Sequence, residues 1–295
     1  MAISAKLVKE LREKTGAGMM DCKKALEACN GDIEASFDWL REKGIAKAAK
    51  KADRIAAEGL CSIKTEGNKA AILEVNSETD FVAKNAEFQE LVQLVAKTVV
   101  TNNPADLDAA LALDVDGKDL ATVIAEKSGK IGEKLSFRRY TVLEKTDDEV
   151  FGAYSHMGGK MTALVKLANS TDEKAKDIAM HVAASAPQYI DRTAIPAEVL
   201  DRELAVLKAQ AMEENSKAAK PKPENIVEKM VQGRLNKNLK EMCLVDQEFI
   251  KDPDQTVAKY LGNGKVLEIV RFQVGEGMAK REENFAEEVA KQMGA

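Results

Sequence analysis

The sequence predicts an α+β protein built from several small domains, and three observations support this prediction. Of the 295 residues, 32% are charged and only 4% are aromatic, a composition typical of a helix-rich globular protein. A strand–turn–strand–helix pattern occurs twice in the middle of the chain. Two apolar stripes at helical spacing follow the second copy, with prolines between them. The length is sufficient for two or three domains with separate cores.

Three short helices are predicted before residue 54. Ser4, Asp21 and Asp32 each precede an apolar run and can cap the first amides of a helix. The apolar residues that follow recur on one helix face as Leu7, Val8 and Leu11, as Cys22, Ala25, Leu26 and Cys29, and as Ile33, Phe37 and Leu40. We expect the cysteines to pack in the core and Gly44 to end the third helix.

The glycine-rich turn between the first two predicted helices carries Met19 and Met20. Buried methionines fill irregular gaps in a core, whereas exposed ones suit adaptable contact surfaces. The sequence leaves both alternatives open for this pair.

The stretch from Arg41 to Arg54 is basic and rich in alanine, with its lysines clustered from Lys43 onward. A solvated connecting helix is the interpretation that we favour. The alternative is an RNA- or ribosome-binding module, although the stretch contains no aromatic residue to stack on bases. The whole chain has a net charge of −5, which argues against a protein whose main task is binding nucleic acid.

An internal repeat occupies the middle of the chain. The first copy runs from Gly59 to Asp80 and the second from Gly152 to Asp172, and each predicts a strand, a glycine turn, a strand, a polar cap and a helix. A further strand-like run follows each copy, at residues 139–143 and 266–272. We therefore expect two similar subdomains, each a small antiparallel sheet covered by helices.

The segment Thr79-Asp80-Phe81-Val82 joins a predicted strand to a predicted helix. Its first two residues can cap free helix amides. Phe81 has two interpretations: a hydrophobic staple packed on its own helix, or an exposed anchor for the pocket of a partner. The second copy has Glu173 at this position. Because a staple that the fold requires should occur in both copies, we favour the exposed anchor.

Residues 193–242 predict a hairpin of two helices with a coiled-coil seam. The apolar residues at four–three spacing are Leu200, Leu204, Leu207 and Ala211 in the first helix, and Val231, Leu235, Leu239 and Met242 in the second. The segment Lys220-Pro221-Lys222-Pro223 separates them. Such an arm either supports the core or pairs with another molecule, and the sequence leaves this open.

Motifs of known enzyme chemistry are absent from the sequence. It contains no complete phosphate-binding or dinucleotide-binding loop. Its two histidines, His156 and His181, lie far apart and outside metalloprotease or hydrolase motifs. We therefore expect no catalysis by this chain, no cofactor and no metal site. Since no apolar run approaches about 18 residues and the N-terminus lacks a signal layout, we expect a cytoplasmic protein without membrane association.

Three motifs together resemble one known family. They are LVKELR followed by TGAGMMDCKKAL within residues 7–26, EVNSETDFVAK at residues 74–84, and RFQVGEG at residues 271–277. They resemble the signatures of the bacterial elongation factor Ts family, and the resemblance extends over essentially the whole chain.

The resemblance implies a specific domain organisation. The chain would have a UBA-like (ubiquitin-associated-like) helical domain at 1–54, one core subdomain at 55–145 and a second at 146–192 and 243–274. A coiled-coil hairpin would be inserted at 193–242, and a C-terminal helical module would follow at 275–295.

The resemblance also implies a function, that of a guanine-nucleotide exchange factor for elongation factor Tu. In this family, the segment Thr79–Val82 dislodges the Mg²⁺ of the partner, with Asp80 and Phe81 inserted between two helices of its GTPase domain. GDP is then released and GTP can rebind during translation elongation. Arg12, Met19 and Met20 would contact another helix of that domain. A homodimer or a 2:2 complex through the hairpin arm is left open.

Overall fold

The computed structural model describes residues 3–15, 19–49, 51–218 and 220–279, except for the side chains of residue 13 and of residues 45–49. The chain forms two compact units. The first takes in Met1–Glu144, His156–Thr162 and Phe272–Ala295, and the second takes in Lys145–Ser155 and Ala163–Arg271. The finer domain boundaries that we expect from the sequence stay predictions.

Three helices begin the first unit, namely α1 (Ala5–Thr15), α2 (Met19–Ala28) and α3 (Ile33–Ala49). Two of the predicted caps are confirmed. Ser4 Oγ accepts a hydrogen bond from Leu7 N at 3.3 Å, and Asp32 Oδ1 accepts one from Ala35 N at 2.9 Å. The three helices enclose a small core of Val8, Leu11, Cys22, Ala25 and Leu26, against which Ile33, Trp39 and Leu40 pack.

Two expectations about these helices are wrong. α2 begins at Met19, before the predicted cap Asp21, so the methionine pair lies in a helix rather than on a turn. Phe37 is 39% exposed, and Trp39 packs against the core instead. The first error concerns where a helix begins. The second concerns which residue of a short run faces inward, which depends on the neighbouring helices.

A three-stranded sheet and its covering helices complete the first unit. In chain order the elements are β1 (Glu58–Glu66), β2 (Lys69–Ser77), α4 (Asp80–Ala83), α5 (Ala86–Asn102), α6 (Leu107–Leu111), β3 (Asp114–Val115), β4 (Lys118–Asp119), α7 (Leu120–Ile131) and β5 (Ser136–Glu144). The strand order is β1-β2-β5 with antiparallel pairing on both sides, so β2 lies at the centre. Apolar side chains of β2 and α5 form the main core, chiefly Leu73, Val75, Phe88, Leu91, Val95 and Val99.

Gly44 does not end α3, which continues to Ala49, because this glycine lies where α3 crosses α7. A Cβ atom added to Gly129 of α7 would lie only 2.6 Å from the Gly44 carbonyl oxygen. Just beyond the crossing, Lys51 is buried and donates a hydrogen bond to Ser128 O at 3.0 Å. The interpretation of the basic stretch as a solvated helix is therefore wrong at Lys51.

The second unit repeats the strand–strand–helix arrangement. The remaining elements are β6 (Glu149–His156), β7 (Met161–Ala168), α8 (Asp172–Ser185), α9 (Ala197–Ser216), α10 (Glu224–Met242), β8 (Glu248–Phe249), β9 (Asp252–Thr256), α11 (Val257–Leu261) and β10 (Lys265–Gln273). The strand order β10-β7-β6 again places the second strand of the hairpin at the centre. Gly152 brings β6 directly against α8, since a Cβ atom there would lie 1.9 Å from Ala175 O. The predicted duplication of small sheets with helices is confirmed.

The helices α9 and α10 form the hairpin predicted at 193–242. Their shared core consists of Leu207, Ala211, Val227 and Val231, with Leu204 and Leu235 packed against it. Near the end of α9, Glu214 forms an ion pair of 2.6 Å with Arg234 of α10. A coiled-coil geometry and any contact with a second chain stay predictions.

Candidate functional site

The segment Thr79–Val82 forms one isolated helical turn. Thr79 is the N-cap of α4, and its Oγ1 accepts a hydrogen bond from Val82 N at 3.4 Å. The turn ends at Ala83, and Asn85 then caps α5, with its Oδ1 2.8 Å from Glu87 N. Two helix starts therefore follow each other closely, and the first presents a single turn at the end of the central strand.

The side chain of Phe81 does not belong to the hydrophobic core of the first unit, and it is 78% exposed. A single helical turn has one side available for packing, and Val82 and Ala83 occupy it: Val82 packs against the main core and Ala83 is buried. Phe81 precedes Val82 by about 100° of helix rotation, which directs its ring to solvent. The staple interpretation is therefore wrong, and the exposed position that the anchor interpretation requires is present.

An ion pair lies beside the exposed ring. Lys84 Nζ lies 2.7 Å from Asp80 Oδ2 and 5.9 Å from the centroid of the Phe81 ring. The hydrogen bond from Lys84, together with the positive charges of Lys84 and Lys160, holds the pKa of Asp80 below its usual range. The turn thus offers an ionised carboxylate and an apolar ring side by side.

A second carboxylate holds the backbone beneath this turn. Glu133 Oε2 accepts hydrogen bonds from Glu78 N and Thr79 N, both at 3.0 Å, and Glu133 Oε1 accepts the Thr79 hydroxyl at 2.6 Å. Glu78 itself accepts a hydrogen bond from Lys134 N at 2.6 Å and pairs with Arg54 at 3.2 Å. Our sequence reasoning missed Glu133, because it lies 54 positions from Thr79 and belongs to no motif.

The fully buried carboxylate of Glu74 joins the same strand to the C-terminal segment. On β5, a bulge opposite Glu74 and Val75 allows the consecutive residues Arg138 and Arg139 to reach the same carboxylate, at 3.1 and 2.6 Å. Gly275 N donates to it at 2.8 Å. Burial alone would raise the pKa of Glu74, but the donors outweigh burial and lower it. Gly275, where the predicted C-terminal module begins, is therefore hydrogen-bonded to the strand that leads to Thr79. The residues of that module after 279 lie outside the described residues.

The other predicted contact residues lie on different elements. Arg12 is exposed near the end of α1, and Met19 and Met20, at the start of α2, are 59% and 62% exposed. The core-filling alternative for the two methionines is therefore wrong. The structure brings the residues from Thr79 to Val82 together on α4 and places these three on the N-terminal helices.

Neither a metal centre nor a membrane span is found among the described residues. No group of three or more His, Cys, Asp or Glu side chains in those ranges could hold a metal ion. No helix in the described parts of the chain is both long and apolar enough to cross a membrane.

Comparison with known proteins identifies the family. The elongation factor Ts family model matches residues 78–276, a range that contains α4 and Glu133. Elongation factor Ts of Pediococcus pentosaceus is 57% identical over 295 residues, covering 99% of each chain. With the match extending from end to end, the chain belongs to the elongation factor Ts family of translation elongation factors.

Proposed function

We propose that this chain is a guanine-nucleotide exchange factor that binds elongation factor Tu in its GDP-bound and nucleotide-free states. In this proposal, the Phe81 turn displaces Mg²⁺ and promotes release of GDP, so that GTP can rebind. Membership of the elongation factor Ts family supports the partner and the class of function. The exposure of the Phe81 ring is the single observation that carries the mechanism, because a wedge has to be accessible before the partner is bound.

The thermodynamics of exchange define what the interface has to achieve. A GTPase holds its nucleotide through phosphate contacts and Mg²⁺. An exchange factor weakens this binding only if it binds the nucleotide-free form more tightly than the nucleotide-bound form. The coupling is reciprocal, so nucleotide weakens binding of the factor by the same ratio.

The size of this coupling shows that Phe81 cannot act alone. A shift of about 10⁴-fold requires about 5.5 kcal/mol of differential binding, whereas burial of one phenylalanine side chain contributes about 1.5–3 kcal/mol. The remainder has to come from other contacts. We assign it to Asp80 and its neighbours on α4, to Arg12, Met19 and Met20, and to the C-terminal segment that Glu74 holds.

The chemistry in this proposal belongs to the partner. Exchange requires no acid, base or cofactor from the factor itself, and translation places the reaction in the cytoplasm. The alternative of an RNA-binding module receives no support from the described part of the basic stretch, since Lys51 donates to Ser128 O and Arg54 pairs with Glu78. A homodimer or a 2:2 complex through the hairpin remains a proposal.

The decisive experiment measures release of fluorescent GDP from elongation factor Tu with wild type and with Phe81→Ala. We expect the variant to fold and to associate with the partner but to accelerate release at least about tenfold less, because it loses the apolar contact of the ring. Phe37→Ala is the matched control, since it also removes a partly exposed phenylalanine from the first unit. Equal rates for wild type and Phe81→Ala would contradict the wedge.

A further inference from the structure

We propose that Glu133 is a positioning residue for nucleotide exchange: it holds the Thr79 segment so that Phe81 is presented in one orientation. This inference rests on the proposed function. Glu133 would not touch the partner's nucleotide, and it would act only through the α4 turn.

The geometry at Glu133 is that of a clamp on two consecutive residues. One carboxylate accepts three hydrogen bonds, from the amides of Glu78 and Thr79 and from the Thr79 hydroxyl. Hydrogen bonds to an ionised carboxylate are stronger than those between neutral groups. The hydrogen bond to Glu133 also orients the Thr79 hydroxyl. Because the hydroxyl hydrogen points to Glu133, the lone pairs of Thr79 Oγ1 are left to accept the hydrogen bond from Val82 N. The carboxylate therefore orders the cap that starts α4.

Glu133 is itself held in place at the junction of α7 and β5. The preceding Gly132 ends α7 with a φ of 94°, a left-handed conformation that favours glycine. The hydroxyl of Ser128 donates to the carbonyl oxygen of Glu133 at 2.5 Å. On the other side, Lys134 N donates to Glu78 at 2.6 Å. Thus Glu78 and Thr79 donate hydrogen bonds to Glu133, and Lys134, the next residue, donates one back to Glu78.

The second repeat shows that the fold does not require such a clamp. Thr171 caps α8 as Thr79 caps α4, with Lys174 N 3.3 Å from its Oγ1. Within the described ranges, no carboxylate accepts a hydrogen bond from Thr171. The residue after the glycine that ends α11 is Asn263, which is exposed. The carboxylate is thus present in the repeat with an exposed aromatic residue and absent from the repeat without one.

The clamp should affect the rate of exchange more than the affinity. Without it, the α4 turn can sample further conformations, and only a fraction of them presents Phe81 to the partner. Ordering of the turn then adds to the cost of the step in which the ring inserts. Contacts on other elements, which supply most of the binding free energy, stay intact.

The experiment measures fluorescent-GDP release from elongation factor Tu over a range of factor concentrations, which separates the plateau rate from the half-saturating concentration. The variants are Glu133→Gln, Thr79→Val, Phe81→Ala and the double variant Phe81→Ala with Glu133→Gln. Glu66→Gln is the matched control, because Glu66 also accepts a hydrogen bond from a threonine hydroxyl, that of Thr101 at 2.7 Å. Glu66 is the last residue of β1 and belongs to no part of the α4 turn. Thermal unfolding of each variant reports whether it is folded.

We expect Glu133→Gln and Thr79→Val to lower the plateau rate about tenfold, which corresponds to about 1.4 kcal/mol, with the half-saturating concentration within about twofold of wild type. In the Phe81→Ala background, Glu133→Gln should have little further effect, because both act through the same ring.

Two results would overturn the role of Glu133 while leaving the proposed function standing. One is a wild-type plateau for Glu133→Gln when Phe81→Ala is impaired. The other is an equal loss from Glu133→Gln with and without Phe81, which would indicate a general structural role. If the wild-type protein itself failed to accelerate release, both the proposed function and this inference would fall.

Discussion

In each repeat a threonine follows the central strand and caps the next helix, Thr79 with φ −127° and Thr171 with φ −112°. The chain differs immediately afterwards. After Thr171, α8 runs unbroken for 14 residues, and Glu173 is an exposed member of its first turn. After Thr79, the helix stops after four residues and a new one begins beyond Asn85. The interruption turns an ordinary helix start into a separate turn that presents Phe81.

The central strands of the two repeats also differ, in the charge that they carry at one equivalent position. Five residues before its threonine, β2 carries Glu74 and β7 carries Lys166. Glu74 pairs with Arg139 of β5, whereas Lys166 pairs with Glu268 of β10, so the signs of the charges are exchanged between the two repeats. The duplicated framework preserves a cross-strand ion pair, but only the first repeat uses a fully buried acid that also binds the amide of Gly275.

The largest effect should be the difference in stability between breaking the ion pair of Glu74 and breaking that of Lys166. Glu74→Ala leaves Arg138, Arg139 and Gly275 N without their shared partner in a buried site, and we expect it to lower the free energy of unfolding by about 3 kcal/mol. Lys166→Ala removes one member of a partly exposed pair and should cost at most about 1 kcal/mol. Urea denaturation of both variants measures the difference, and equal losses would contradict the distinct role of Glu74.

An intermediate effect should follow from exchanging the residues after the caps. Phe81→Glu should lower GDP release at least about tenfold, about 1.4 kcal/mol, while its unfolding free energy stays within about 0.5 kcal/mol of wild type because the ring is exposed. The reciprocal Glu173→Phe should change neither quantity. A strong loss of stability in Phe81→Glu would show that the ring supports the fold after all.

The smallest effect should be a pH dependence that arises in the second repeat. His181 of α8 is buried; its Nδ1 accepts from Ile250 N at 3.2 Å, and its Nε2 lies 2.8 Å from Gln247 Oε1. Burial lowers the pKa of His181 despite the hydrogen bond to Gln247. The unfolded chain therefore binds a proton more readily, and stability should fall by up to about 1 kcal/mol as the pH drops below about 6.5.

Comparison of the two histidines tests this assignment. His156 is exposed, so His156→Gln should keep the pH dependence of unfolding between about pH 7 and pH 5.5. His181→Gln should remove it, although at a lower overall stability. A retained pH dependence in His181→Gln would assign the effect to another group.

Local signals made a large part of the fold predictable. The caps at Ser4, Asp32 and Thr79 were predicted correctly because a cap depends on residues within one helical turn. The repeated sheets were predictable for a similar reason, since strand alternation and glycine turns are short-range patterns. The candidate Phe81 emerged from the comparison of two copies within one chain, which sequence alone permits.

The sequence by itself thus determined the main helices and strands, the duplication and the motif of the Phe81 turn. Only the tertiary structure decided that α3 passes through Gly44, that Trp39 rather than Phe37 faces inward, and that Glu133 clamps Thr79. Each of these outcomes depends on contacts between residues far apart in the chain, where a glycine marks a helix crossing and a single acid meets amides 54 positions away. Periodicity and capping rules describe neighbours along the chain, and they contain no information about which distant surface a side chain will meet.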